Sequence, residues 1–267
     1  MKPKRVRVHH LIHMKEAREP ITMLTSYDAL TARIFDEAGV EMLLVGDSYG
    51  NTVLGYNSTV PVTLEELEIA TAAVARGTSR ALVVADLPFG SYEESPAAAV
   101  RSAVRLRKAG ADAVKLEGGV RQAHTIRAIT EAGIPVVGHV GFTPQSESSL
   151  GGPRVQGRGN AGEAQIVDDA AAVEENGAVA IVLEMVPAQV AHRITRILHI
   201  PTIGIGAGVD TDGQVLVWTD MAGMTEWVPS FVRKFGQVGH ALSEATKEYC
   251  EAVKNRSFPD ESHSFLK

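Results

Sequence analysis

Ala113-Val114-Lys115-Leu116-Glu117-Gly118-Gly119 sets a lysine and a glutamate two residues apart inside an otherwise apolar run that ends at two glycines. Read as a strand, the run turns both charged side chains to one side. A lysine inside such a run is expensive unless it is paired or functional. Four more runs share the design: Met42-Leu43-Leu44-Val45-Gly46-Asp47-Ser48, Leu82-Val83-Val84-Ala85-Asp86, Val136-Val137-Gly138-His139 and Ile181-Val182-Leu183-Glu184. Continuous apolar stretches with little alternation are the mark of parallel strands buried on both faces. In a parallel barrel all strand C-termini open onto one face, so the polar ends of these runs would converge there.

Working outward, eight strands are expected to begin near Ile21, Met42, Ala81, Ala113, Pro135, Val179, Pro201 and Gln214. Helix-period segments fall between them at 29–38, 64–76, 95–109, 121–132, 162–176 and 188–198. Gly39, Gly110, Gly133 and Gly177 each follow a last helical turn, where a left-handed residue ends a helix. Alternating strands and helices call for a parallel sheet with covered faces, and eight units favour a closed (β/α)8 TIM barrel over an open doubly wound sheet. The expected organisation is one barrel domain over residues 1–267, with an N-terminal helical extension at 1–20 whose helix covers about 8–17. A last helix near 243–253 carries a tail that could bind a neighbouring subunit. Two connections are long, 46–63 and 141–160; the second, rich in Gly, Ser, Pro and Gln, reads as a mobile lid.

Bulk properties narrow the function. A hydrophobic content of 45% supplies a core, while 5% aromatic residues and a net charge of -6 argue against nucleic acid and anionic membranes as partners. Cys250 is the lone cysteine, which excludes an intrachain disulfide and fits a reducing cytoplasm. Lys2, Lys4, Arg5 and Arg7 precede a modest apolar stretch, but His9, His10 and His13 interrupt it and Glu16 and Glu19 follow, unlike a targeting segment. No stretch approaches the roughly 20 apolar residues of a membrane span.

Asp47, Asp86 and Glu117 end strands two, three and four, neighbours in a barrel. Together in a cleft they would repel one another unless a cation neutralised them, and an all-oxygen donor set points to magnesium, with manganese or cobalt as substitutes. Any one of them alone could equally cap a helix or pair with an arginine. Lys115 suits a substrate carboxylate or carbonyl oxygen. Ser48 could donate to the same anion or cap a helix. Glu184 ends strand six, across the barrel from the trio; between Leu183 and Met185 it suits a general base, or else a rim carboxylate facing water. His139, with glycines at 138 and 141, is either a substrate contact or a structural hydrogen bonder. Gly204-Ile205-Gly206-Ala207-Gly208 has the look of a phosphate cradle, although glycines there also permit close approach of any bulky ligand. Asp28 is expected to cap the helix that follows it.

At these residues the chain resembles the ketopantoate hydroxymethyltransferase family. The matching segments are Leu24-Thr25-Ser26-Tyr27-Asp28, Val45-Gly46-Asp47-Ser48, Ala85-Asp86-Leu87-Pro88-Phe89 and Val114-Lys115-Leu116-Glu117-Gly118-Gly119. They continue with Gly138-His139-Val140-Gly141-Phe142-Thr143-Pro144-Gln145, Val155-Gln156-Gly157-Arg158-Gly159, Gly204 to Gly208, Asp212-Gly213-Gln214-Val215-Leu216-Val217 and Phe258-Pro259. The resemblance implies a barrel of the phosphoenolpyruvate mutase and isocitrate lyase type. It implies one Mg2+ per subunit on Asp47, Asp86 and Glu117, a 2-oxoacid held by Asp47, Ser48, Asp86 and Lys115, and Glu184 as proton acceptor. The implied reaction moves a hydroxymethyl group from 5,10-methylenetetrahydrofolate to 3-methyl-2-oxobutanoate through a magnesium-stabilised enolate, the first step of pantothenate biosynthesis. It further implies a cytoplasmic homo-oligomer, commonly a decamer. The chain departs from the family pattern at Ser146-Glu147-Ser148-Ser149, Gly152-Pro153-Arg154 and Asn57. Two other readings use the same residues: a folate-independent lyase or mutase of the same barrel group, and a non-catalytic oxoacid-binding scaffold.

Overall fold

In the computed structural model, eight parallel strands close into a barrel in chain order, β8 pairing back onto β1. They are β1 Ile21–Thr25, β2 Met42–Val45, β3 Leu82–Asp86, β4 Ala113–Glu117, β5 Val136–Gly141, β6 Ala180–Glu184, β7 Thr202–Ile205 and β8 Gly213–Leu216, each starting within one residue of its expected position. The helices of this part are α1 Val8–Ala17, α2 Ala29–Glu37, α3 Leu64–Gly77, α4 Pro96–Ala109, α5 Ala123–Glu131, α6 Glu147–Leu150, α7 Gly159–Glu175 and α8 Ala188–Ile197. Their starts follow local chemistry. Asp28 accepts from Leu30 and Thr31 N–H, Thr63 and Glu66 form a reciprocal capping box, and Ser95 accepts from Ala98 N–H with Pro96 in the first turn. Gly110 ends α4 at φ 116°, a conformation open to glycine. The structure describes residues 4–265 and divides between Leu216 and Val217 into two compact units, the first holding the whole barrel.

Period-two alternation sorts each strand into two apolar clusters. Leu43, Val45, Val83, Ala85, Val114, Leu116, Ile181 and Leu183 face outward and pack with helix residues such as Leu67, Leu106, Ile126 and Ile194. Met23, Met42, Leu44, Leu82, Val84, Ala113, Val137, Ala180, Val182, Ile203 and Val215 fill the interior, joined from α1 by Leu11. The N-terminal helix is therefore a plug at the strand starts. Lys15 of α1 donates to Asp212 Oδ2 (2.7 Å) and the Thr195 carbonyl (2.9 Å), and Val6 N–H donates to the Arg80 carbonyl (2.7 Å).

At the same end, carboxylates that precede or face strand starts accept backbone N–H groups. Asp112 accepts from Val83, Asp212 from Thr202, Glu41 from Thr22 and Glu174 from Ile200. Asp36 is the fullest case, accepting from Ser79 N, Ser79 Oγ, Arg80 N and Ala81 N at 3.0, 2.8, 3.0 and 2.6 Å. Burial works to raise its pKa, but these donors outweigh it and the carboxyl lies below the ordinary value.

The second unit holds α9 Trp218–Met221, α10 Val238–Lys254 and a short turn at Glu261–His263. Within it Lys234 Nζ donates to the Thr225 and Glu226 carbonyls, and Phe258 packs between Tyr249 and His263. The last helix is longer than the expected 243–253 at its N-terminal end. Among the described residues, no helix is long and apolar enough to cross a membrane.

Asp36→Ala would leave several buried donors unpaired. Urea unfolding at neutral pH should show it less stable by about 2–3 kcal/mol; a loss under about 0.5 kcal/mol would show that water replaces the carboxylate.

Candidate active site

The inward positions that are apolar at the strand starts become polar at the strand ends. Continuing the same two-residue steps, β3 presents Asp86, β4 presents Lys115 and Glu117, β5 presents His139 and β6 presents Glu184. The ladder register sets Asp86 beside Lys115 and Glu117 beside His139. Lys115 Nζ lies 3.0 Å from Asp86 Oδ1 and 3.4 Å from His139 Nδ1. His139 Nδ1 is 3.4 Å from Glu117 Oε1, and its Nε2 is 3.2 Å from Glu184 Oε2. Glu184 therefore does not stand apart across the barrel, as the sequence suggested: one imidazole links it to the carboxylate trio. The signal for this was available, since strand five must lie between strands four and six.

Asp47, just past β2, is tied in by its backbone, whose N–H donates to Asp86 Oδ2 (3.0 Å). Ser48 shares a 2.8 Å hydrogen bond with the Tyr27 hydroxyl and caps no helix. Asp47, Asp86, Lys115, Glu117 and His139 are all buried; Glu184 is partly exposed. Two further residues belong here that the sequence reading did not single out. Gln145, in the turn after β5, donates through Nε2 to Asp47 Oδ2 (2.8 Å) and through its backbone N–H to Glu117 Oε2 (3.0 Å). Tyr92 donates from its hydroxyl to Gln145 Oε1 (2.6 Å). Pro144 at the head of that turn signalled a bend close to the strand end, but no periodicity says which way the next amide points.

The electrostatics follow from burial and crowding. Burial first, then the Asp86 and Glu117 carboxylates, push Asp47 up to about 7. Asp86 is also raised, by burial above all, with Lys115 opposing. Burial acts to lower Lys115 and His139, but the surrounding carboxylates prevail: Lys115 is raised, and His139 reaches about 9 through Glu117 and Glu184, against Lys115. Formally, four carboxylates face one lysine and one histidine, leaving an excess of negative charge. Asp86 Oδ1 and Glu117 Oε1 are buried without an aligned hydrogen bond. No three His, Cys, Asp or Glu side chains among the described residues converge as a ready-made cage. That donor set still suits magnesium, which takes one or two carboxylates and completes its shell with water and substrate oxygens.

The glycine segment after β7 is occupied by protein packing. A Cβ at Gly204 would meet Thr211 Oγ1 at 2.7 Å, one at Gly208 would meet Ala188 at 2.6 Å, and Gln214 Nε2 donates to the Gly208 carbonyl. The segment after β5 is partly ordered into the Pro144–Ser146 turn and α6. Between it and α7 lies a cavity of about 410 Å³ that borders the β4 and β5 ends at Gly118, Val140 and Gly141. A larger cavity, about 630 Å³, opens between α3, α4 and the loop after β3, and none of the five buried site residues lines it.

A closed parallel barrel whose strand ends carry buried carboxylates around a lysine is the framework of an enzyme for a small, oxygen-rich anion. Its fold is similar to that of solved structures from the phosphoenolpyruvate mutase/isocitrate lyase superfamily. It is similar to a 2,3-dimethylmalate lyase of that superfamily (TM-score 0.61, 18% identity, 98% of this chain and 93% of that one). It is likewise similar to a phosphonopyruvate hydrolase solved with oxalate and Mg++ (TM-score 0.63, 13% identity, 97% and 93% covered). The model of the ketopantoate hydroxymethyltransferase family matches residues 5–261. Relatives named 3-methyl-2-oxobutanoate hydroxymethyltransferase include those of Leifsonia xyli subsp. xyli, 59% identical over 265 residues (98% of this chain, 95% of the relative), and Rhodococcus jostii, 59% over 266 (98% and 92%). The chain belongs to the ketopantoate hydroxymethyltransferase family and is a transferase.

Raised pKa values mean that the folded protein holds more protons than the unfolded one, so stability falls as pH rises. For Asp47 the window runs from 3.8 to about 7, and for His139 from 6.5 to about 9. Melting temperature in EDTA should therefore decline from about pH 5 to about pH 9, and Mg2+ should flatten the decline. A profile flat in EDTA would show that neither group titrates as its surroundings require.

Proposed function

We propose that the chain transfers a hydroxymethyl group from 5,10-methylenetetrahydrofolate to 3-methyl-2-oxobutanoate, giving 2-dehydropantoate and tetrahydrofolate at the start of pantothenate biosynthesis. Family membership supports the reaction. The observation that carries the mechanism is Glu184, partly exposed and joined through His139 to the buried trio. Asp47, Asp86 and Glu117 would hold one Mg2+, which when bound supplies Lewis acidity to the oxo group. Lys115 and Ser48 bind the oxoacid's anionic oxygens, and Glu184 removes the proton from C3. Lys115 then stabilises negative charge developing on the oxygen. Water opens the methylene bridge of the folate, giving its hydroxyl to the carbon and its proton to one folate nitrogen; the C3 electron pair then bonds to that carbon as the remaining carbon–nitrogen bond breaks, and the second nitrogen takes the proton held by Glu184. His139, between two carboxylates, holds Glu184 in place.

The cavity beside Gly118 and Gly141 suits the pterin, because it opens next to the β4 and β5 ends and is within the size range of small-molecule sites. The 141–160 segment acts as a lid that keeps water from the carbanion. A cytoplasmic homo-oligomer, in the family's manner a decamer, completes the proposal. Leu242, Tyr249 and Val253, exposed on α10, supply apolar surface for it.

The test is loss of the C3 proton of 3-methyl-2-oxobutanoate in deuterium oxide, followed by proton NMR with Mg2+ and then EDTA. Wild type should exchange only with Mg2+. Glu184→Gln should slow exchange at least about 100-fold while binding the oxoacid nearly as well; retained exchange would exclude Glu184 as sole base. No exchange in wild type, with or without tetrahydrofolate, would overturn the reaction itself.

A further inference from the structure

Gln145 is buried, and every polar group of its side chain is engaged at the site. Its Nε2 donates to Asp47 Oδ2 (2.8 Å) and the Leu87 carbonyl (3.0 Å), its Oε1 accepts from Tyr92, and its backbone N–H donates to Glu117 Oε2 (3.0 Å). Two acceptors on one side and a hydroxyl donor on the other fix the direction of the amide, since a flip would set its carbonyl against a carboxylate. Tyr92, itself buried, has its hydroxyl 3.4 Å from the Glu117 backbone N and O.

We infer that Gln145, oriented by Tyr92, is a positioning residue for the cation site, holding one oxygen of Asp47 and one of Glu117 so that their other oxygens stay available to a divalent ion. This rests on reading the trio as that site. Its chemistry suits the task. An arginine could bond the same oxygens but would cancel the charge that attracts a cation, whereas a neutral amide orients carboxylates and leaves them anionic. Glu117 shows the result: Oε2 is held by Gln145, and Oε1 is buried without a hydrogen bond. Two carboxylates, one just past β2 and one at the end of β4, are thereby braced by one residue of the segment that follows β5.

Mn2+ titration of the full chain, read by the electron paramagnetic resonance of the free ion, tests this without turnover. Gln145→Met keeps the bulk and removes the side-chain donors and acceptor. It should raise the Mn2+ Kd about 10- to 100-fold, the usual cost of losing a residue that orients metal ligands, with the circular dichroism unchanged. Tyr92→Phe deletes one hydroxyl and should raise the Kd less, by about threefold or more. A folded Gln145→Met protein within about twofold of the wild-type Kd overturns the inference. Should that variant not fold, an unchanged Kd in Tyr92→Phe overturns it. A wild type that binds no Mn2+ would instead remove the metal reading of the trio, and this inference with it.

Discussion

The site depends on one buried cation. Lys115 on β4 is the ladder partner of Asp86 on β3, and Glu117, two residues further on, is the partner of His139 on β5, positions that the closed parallel register leaves no freedom to alter. Moving an isolated charge into such a place costs many kcal/mol, so the lysine and the carboxylates around it are tolerable only together. One ammonium cannot balance Asp47, Asp86 and Glu117, however, and the residual negative charge is what, on the proposed function, would draw a divalent ion to the barrel mouth. A more complete set of ion pairs would give a more stable barrel with a poorer site.

Acidic residues have opposite functions at the two ends of this barrel. At the strand starts Asp36, Asp112, Asp212 and Glu41 each accept backbone N–H groups, and the pKa values of Asp36 and Glu41 are lowered despite burial. At the strand ends Asp47 and Asp86 are raised, and oxygens of Asp86 and Glu117 lack aligned donors. The first set is satisfied and holds the fold; in the second, Glu117 Oε1 has no hydrogen bond and Asp86 Oδ1 has only the Lys115 ammonium beside it. Barrel enzymes place chemistry at the strand C-termini and stability at the other face, and here the hydrogen-bond inventory draws that division residue by residue.

Position relative to an apolar run is what made this legible in the sequence. Glu41, Asp112 and Asp212 precede their strands, whereas Asp86, Glu117 and Glu184 end theirs, so strand assignment alone separates most structural carboxylates from most candidate functional ones. The strands were easy to find because both faces of each are covered, leaving unbroken apolar runs between glycine-terminated helices. The contact between His139 and Glu184 was harder, since it depends on side-chain reach between neighbouring strands. Gln145 and Tyr92 lie in loops, where no period constrains direction, and their contribution comes from contacts 53 and 98 residues distant in the chain.

His139 shows how far geometry can decide between roles that a sequence leaves open. One ring nitrogen faces Glu117 and Lys115, and the other faces Glu184. Burial and then Lys115 act to lower the histidine's pKa, but the Glu117 and Glu184 carboxylates prevail and raise it to about 9. Its two ring nitrogens lie 3.4 and 3.2 Å from carboxylates of two different strands. The ring therefore spans from the β4 end to the β6 end and links Glu184 to the carboxylate trio. Glycine at 141 belongs to the same arrangement: a Cβ there would collide with the Glu184 carbonyl, so the β5 backbone can approach the β6 end closely enough for the histidine to reach across.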